Sequence, residues 1–361
     1  MIGMSRKNNT HSLVWIGKTS YLCKKINLND KTMKKVFKLF KNMEPVEILL
    51  VACAVIVGCE NAFMGIIEET TDDRQRNQRL VMLNSAQAQD LNILILPEAY
   101  TKDEINRFTS DACNLHSVLC KTSPYSYLMD KMNIWYAAGY PSETDSLGSK
   151  RTAFGSGFPI DRILPLEKDS IIEAVKLARL RIENTVVVVL VNTDTYLGYC
   201  SYSNGEYPTF AVVPAKNSYF ATTIIHELGH AIGLLADEYN ESKAAHESME
   251  KPLAKHHEEG YYLNVSASAE DIPWRMIMED EAYEVEKTSV YVGAYYCSSG
   301  MFRSTYNSAM RSHVPYYNAI SRLRIYQRIM KFHTGQEPTY EQFRTEDLSH
   351  PVTSWVPSIG L

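Results

Sequence analysis

Apolar positions along this chain fall into blocks whose period changes from one block to the next. Residues 91–96, Leu-Asn-Ile-Leu-Ile-Leu, form a short apolar run ended by Pro97, the form of a buried strand. Residues 186–191 are β-branched at every position but Leu190, which predicts a central strand covered on both faces. Residues 132–138 and 209–213 read as two further strands. Between them, Thr101 and Glu104 form a capping box that starts a helix to about Cys120. Residues 169–181 are helical, and residues 315–330 have the period of an amphipathic helix. Strands alternating with helices predict an α/β fold with a twisted, mostly parallel sheet. Beyond Tyr239 the chain turns polar, so a more irregular lower subdomain is expected, and residues after Thr334 read as a loosely held tail.

The N-terminal region has a different pattern. Met33-Lys34-Lys35, with Lys38 and Lys41, makes a basic stretch, and an apolar run over residues 48–58 follows. That run is too short to span a bilayer and has the length of a signal-peptide core. Its end, Ile56-Val57-Gly58-Cys59, resembles a bacterial lipobox, which implies cleavage before Cys59 and lipidation of its thiol; translation would then start at Met33. Residues 68–78 are polar and charged, as in a tether. The expected organisation is an N-terminal extension and signal peptide over 1–58, a tether over 59–88, a catalytic domain over 89–345 and a tail over 346–361. The expected location is the bacterial cell envelope, with the chain exported and held to a membrane through Cys59. The competing reading of the apolar run is a buried strand or helix with an ordinary core cysteine.

With 361 residues, 45% of them hydrophobic, the chain can bury one substantial core. Its formal charge of −5 and the lack of any basic stripe argue against nucleic acid as a partner. Tyrosine outnumbers phenylalanine 23 to 11, which suits a binding cleft or an exported surface. Cys113 and Cys120 sit seven residues apart in a predicted helix, roughly 10 Å at 1.5 Å per residue and beyond disulfide reach. Nothing in the spacing pairs these cysteines with Cys200 or Cys297. A monomer is expected.

The candidate chemistry lies in His226-Glu227-Leu228-Gly229-His230. Histidines four apart share a helix face, about 6 Å apart along the axis, so both imidazoles can reach one metal ion. Ala221, Ile224, Ile225, Leu228, Ala231 and Ile232 make the segment apolar almost all round. Polar groups buried in such a helix need partners, and a metal supplies one. Glu227, beside the first histidine, can address a water at that metal. For a third ligand, an unbroken helix would carry Asp237 about 10 Å beyond His230. Gly233 can end the helix in a left-handed conformation and fold the chain back, offering Asp237 first and Glu238 as the alternative. If the helix instead runs on past Gly233, a more distant acid such as Glu247 takes that place. The adjacent pair His256-His257 reads as a solvated patch rather than as ligands.

The run from His226 to Asp237-Glu238-Tyr239 resembles the active-site signature of the M64 family, the IgA peptidase or igalysin group of metzincin-like zinc peptidases. Further stretches fit the same family: residues 91–104, 123–135, 152–156 and 188–199, and downstream 300–303 and 308–312. The resemblance covers roughly residues 90–345. It implies a metzincin-like fold, one catalytic Zn(2+), a protein or peptide substrate and a Met-turn in which Met310 lies beneath the metal. It also implies that residues 209–213 line the cleft rim and pair with extended substrate, although a plain edge strand would fit equally. The general metzincin pattern puts its third ligand at the position of Ala236, which cannot ligate, and Ser312 stands where some metzincins carry an auxiliary tyrosine.

Peptide hydrolysis with His226, His230 and Asp237 as ligands and Glu227 as general base is therefore the expected activity. Two alternatives stand beside it. One is a surface binding or adhesion lipoprotein with a structural metal, closed by a fourth protein ligand and without need of Glu227. The other is a metal-dependent hydrolase of a non-peptide amide.

Overall fold

The computed structural model describes residues 80–240 and 246–350. Cys59 and the apolar run before it, the start at Met33, the polar stretch 68–78 and residues 351–361 lie outside the described residues. Strand β1 (Leu80–Asn84) leads to β2 (Leu91–Glu98), helix α1 (Ile105–Leu119) and β3 (Met132–Ala137). Helix α2 (Lys168–Leu177) precedes β4 (Thr185–Val191), β5 (Tyr199–Ser201) and β6 (Thr209–Pro214). These strands form one six-stranded sheet in the order β1-β3-β2-β4-β6-β5. The inner four strands run parallel, and β1 and β5 pair antiparallel at the two edges. The result is a mixed, mostly parallel α/β sheet.

Residue alternation along the central strands divides the interior into two layers. Ile93 and Ile95 of β2 and Val186, Val188 and Leu190 of β4 face one side, where Phe108, Ala112, Leu115 and Leu119 of α1 cover them. Leu94, Leu96, Val187, Val189 and Val191 face the other, against Ile171, Ala174 and Val175 of α2. Every residue of β2 and β4 is buried, which is why both read as apolar runs rather than as alternating strands.

β2 does not end at Pro97. The Glu98 carbonyl accepts from Asn192 N–H on the β4 side, so Pro97, one residue earlier, presents its missing donor to the opposite side. Pairing with β3 has already stopped there, at Ile95. α2 stops four residues short of the expected Arg181, because Arg179 takes a left-handed conformation (φ 56°) just beyond its end. Cys113, Cys120, Cys200 and Cys297 are free thiols.

Helix α3 (Phe220–Ala231) carries the two histidines. The chain beyond Tyr239 is less irregular than its polarity suggests. It contains α4 (His246–Glu258) and the short helix α5 (Arg275–Met278). It also forms a small antiparallel sheet of β7 (Val265–Ser266), β8 (Tyr291–Ala294) and β9 (Cys297–Arg303), in the order β7-β9-β8. Helix α6 (Ala319–Thr334) begins four residues later than expected, capped by the Asn318 side chain on Ser321 N–H, and stops at Gly335 (φ 76°). The expected loose tail is instead helix α7 (Tyr340–Ser349), which runs past the boundary drawn at residue 345. Thr339 and Gln342 form its capping box, and Phe343 is fully buried. Asp347 meets Arg322 of α6 in a buried ion pair of 2.8 Å.

Candidate metal centre and active site

Ile224, Ile225, Leu228 and Ala231 fix one side of α3 in the core, and the remaining face carries His226, Glu227 and His230 toward a cleft. His226 Nδ1 lies 2.8 Å from the Ala309 carbonyl and His230 Nδ1 lies 2.7 Å from the Leu235 carbonyl. A carbonyl can only accept, so each Nδ1 carries the hydrogen and donates it. Both rings are thereby held with Nε2 facing the cleft, as in metal-ligating imidazoles.

The chain reverses just after α3, though not as the sequence suggests. The left-handed residue is Leu234 (φ 52°), one position beyond Gly233. Leu234 N–H donates to the His230 carbonyl (3.0 Å), the bond of an αL ending, and Leu235 N–H reaches back to the Gly229 carbonyl (3.2 Å). Glycine at 233 serves close approach instead. A Cβ there would lie 2.8 Å from the Gly229 carbonyl oxygen and 2.8 Å from Ile325 of α6.

The reversal returns Asp237 to the histidines. Its Oδ1 lies 3.1 Å from His226 Nε2 and 3.2 Å from His230 Nε2, and the two Nε2 atoms are 3.1 Å apart. Glu238 turns away and is wholly buried, accepting from Ser308 Oγ (2.6 Å), Asn264 Nδ2 (3.0 Å) and Asn318 Nδ2 (3.1 Å). Glu247 is exposed on α4 and is not part of the three-residue cluster. Met310 is buried beneath α3, with its sulfur where a Cβ on Gly229 would come within 2.4 Å, and its carbonyl accepts from Glu238 N–H. His256 and His257 are not a solvated patch. His256 packs on the Tyr262 ring (4.6 Å), and His257 Nε2 lies 3.2 Å from the Tyr262 carbonyl.

The donor set fits a divalent metal. Two Nε2 atoms and one carboxylate oxygen form a triangle with sides just over 3 Å, suited to three corners of a tetrahedral N2O site. Asp237 Oδ1 is buried with no hydrogen-bond partner, and so is Glu227 Oε2. Orphaned acceptors of this kind are rare without a cation to face them. Burial pushes the Asp237 carboxyl up, but the two imidazoles outweigh it and hold the group well below the usual carboxylate range. Burial also opposes charge on His226, yet Asp237 prevails and raises it to about 9, a proton that metal binding would displace. Glu227 is raised, mainly by burial, against the pull of both histidines.

The cleft has a volume of about 670 Å³ and is lined by this cluster, by residues 196–200 and by many tyrosines, among them Tyr202, Tyr239, Tyr262, Tyr295 and Tyr296. Its sheet-side rim corrects another expectation. β6 lies between β4 and β5, so residues 209–213 are neither an edge nor a strand open to substrate. β5 holds the edge, at only three residues too short to be seen as a strand in the sequence. Gly198, just before β5, lets that rim approach the acid. A Cβ there would come within 2.8 Å of Glu227 Oε1.

Three further contributions to the site went unread in the sequence. Glu98, at the end of β2, is buried and accepts from Phe154 N–H (2.8 Å), tying the 152–156 segment to the sheet. Asn264 and Asn318 lock Glu238, and Asn264 also bonds the Ala236 backbone on both sides. The Tyr296 hydroxyl donates to Asp237 Oδ2. The only local hint of that contact is a Tyr-Tyr pair near Gly293.

Compared with known families, residues 80–282 match the model described as IgA Peptidase M64, more than half of the chain and all of the segment from β1 through Asp237. The match stops short of Met310. No curated protein matches the chain.

Proposed function

The chain belongs to the IgA peptidase M64 family and is thus a peptidase, and on that premise we propose a zinc-dependent endopeptidase of metzincin-like fold that uses Glu227 as general base. One observation carries the reading. Two imidazoles with their Nδ1 hydrogens already committed face a buried, unpartnered carboxylate oxygen, and a second unpartnered carboxylate stands beside them. His226, His230 and Asp237 would hold the ion. Bound zinc would supply Lewis acidity, polarising the peptide carbonyl and lowering the pKa of the attacking water.

The chain's own residues do the rest. The Ala309 and Leu235 carbonyls fix the imidazole tautomers, and Glu227, buried next to His226, would take the proton from the attacking water. Glu227 then returns that proton to the departing amine. Gly198 keeps the β5 rim close without striking Glu227, so the carboxylate stays on the cleft side. Among the described residues no fourth His, Cys, Asp or Glu joins the cluster, a donor count that suits a water-bearing site.

A chelator should abolish cleavage of an unfolded protein such as casein by the purified chain, and added zinc should restore it. Internal fragments mark an endopeptidase, and cleavage that persists through exhaustive chelation overturns the zinc reading. We also propose that the protein is exported and anchored to the cell envelope through lipidated Cys59, on the strength of the basic stretch, the short apolar run and the Ile56-Val57-Gly58-Cys59 ending. Cys59→Ala should move the protein from the membrane fraction to the soluble one. An unchanged distribution in fractionated cells counts against the anchor.

A further inference from the structure

We propose that Tyr296 is a positioning residue for the metal site: its hydroxyl holds the outer oxygen of Asp237 so that the inner oxygen alone faces the two imidazoles. The inference rests on the zinc reading above and adds a residue from outside the signature, 59 positions away from Asp237.

Four features of the β8–β9 hairpin converge on Asp237. The Tyr296 hydroxyl donates to Oδ2, while Oδ1 lies 3.1 and 3.2 Å from the histidine Nε2 atoms. Both oxygens of one carboxylate are thus given separate tasks, an arrangement in which a second hydrogen-bond partner orients a ligand. The hairpin tip is also docked through its backbone, with Tyr295 N–H donating to the Asp237 carbonyl and Tyr296 N–H to the Tyr239 carbonyl, each at 3.0 Å. The Tyr239 ring fills the gap, 5.3 Å from Tyr296 and stacked 6.4 Å from His226.

The fourth feature is the turn itself. Ala294 pairs with Cys297, leaving Tyr295 and Tyr296 as a two-residue loop with φ of 49° and 66°. Two-residue loops of this hand favour Asn-Gly, because both residues adopt a left-handed backbone that bulky side chains resist. Two tyrosines in that loop go against local preference, and backbone geometry of this sort persists where surrounding contacts over-determine it. The backbone bonds to Asp237 and Tyr239 are open to any residue pair. The phenol on Asp237 is the contact that requires tyrosine at 296.

The test measures zinc affinity of the full chain by competition with a chromophoric chelator, in wild type, Tyr296→Phe and Tyr295→Phe. Tyr296→Phe should weaken zinc binding by roughly 10-fold or more, the usual range for losing a ligand's outer partner. The metal-free variant should still fold, as read by circular dichroism, and Tyr295→Phe should bind zinc like wild type. Unchanged zinc affinity in Tyr296→Phe overturns the proposal. So does an equal loss in both variants, since that assigns the effect to the turn rather than to the phenol. A wild-type chain that binds no zinc removes the zinc reading and this inference together, and is told apart by that first measurement.

Discussion

Glu227→Gln should lower kcat by roughly 10²–10⁴-fold, the usual worth of a positioned general base, while zinc content stays at the wild-type level. The expectation follows from where Glu227 sits. It neighbours His226 on α3 but lies outside the cluster of three ligand atoms, so the amide should not disturb metal binding. Glutamine has nearly the same shape, so Gly198 and the β5 rim remain in place. What it loses is the ability to accept and return a proton. Kinetics on a casein-derived peptide, with metal analysis of the same preparation, decide the matter: near-normal turnover at full zinc content sinks the base assignment. A joint loss of zinc and turnover would instead make Glu227 part of the metal's support.

The largest stability effect should come from far outside the cleft. Arg322 is almost fully buried, with Glu286 Oε1 at 2.5 Å and Asp347 Oδ2 at 2.8 Å. It also donates to Asp347 Oδ1 through Nε (2.9 Å) and to the Tyr317 carbonyl (2.9 Å). Arg322→Ala strands two buried carboxylates without their cation. Breaking such a pair from one side costs about 3–5 kcal/mol. The loss should reach the site, because the Tyr317 hydroxyl donates to the Ile225 carbonyl of α3. Denaturant unfolding of wild type and variant tests this, and a difference under about 1 kcal/mol would show that the network carries little of the fold.

Legibility in the sequence followed the range of the interactions. The two histidines and Glu227 were readable because a helix period and metal chemistry act over four residues. The central strands were readable because burial on both faces leaves an unbroken apolar run. The role of Gly233 was readable only as a break. Its real requirement is contact with Ile325, on a helix 92 positions further along, so the left-handed residue passed to Leu234. β5 was missed because three residues carry no period, and with it the identity of the sheet edge. The tail was misjudged because Phe343 and Asp347 look unremarkable until Arg322, Tyr127 and Tyr283 are seen to meet the acid. Tyr296 was invisible because a hairpin turn, not a linear motif, brings it to Asp237.

The order of the main sheet has one more consequence. β1 occupies the edge opposite β5, five strand spacings away, or roughly 24 Å at the usual 4.7–4.9 Å per strand. Leu80, the first described residue, therefore enters the domain on the far flank from the Gly198–β5 rim. Among the described residues, the point of entry and the cleft rim are therefore separated by the full width of the sheet.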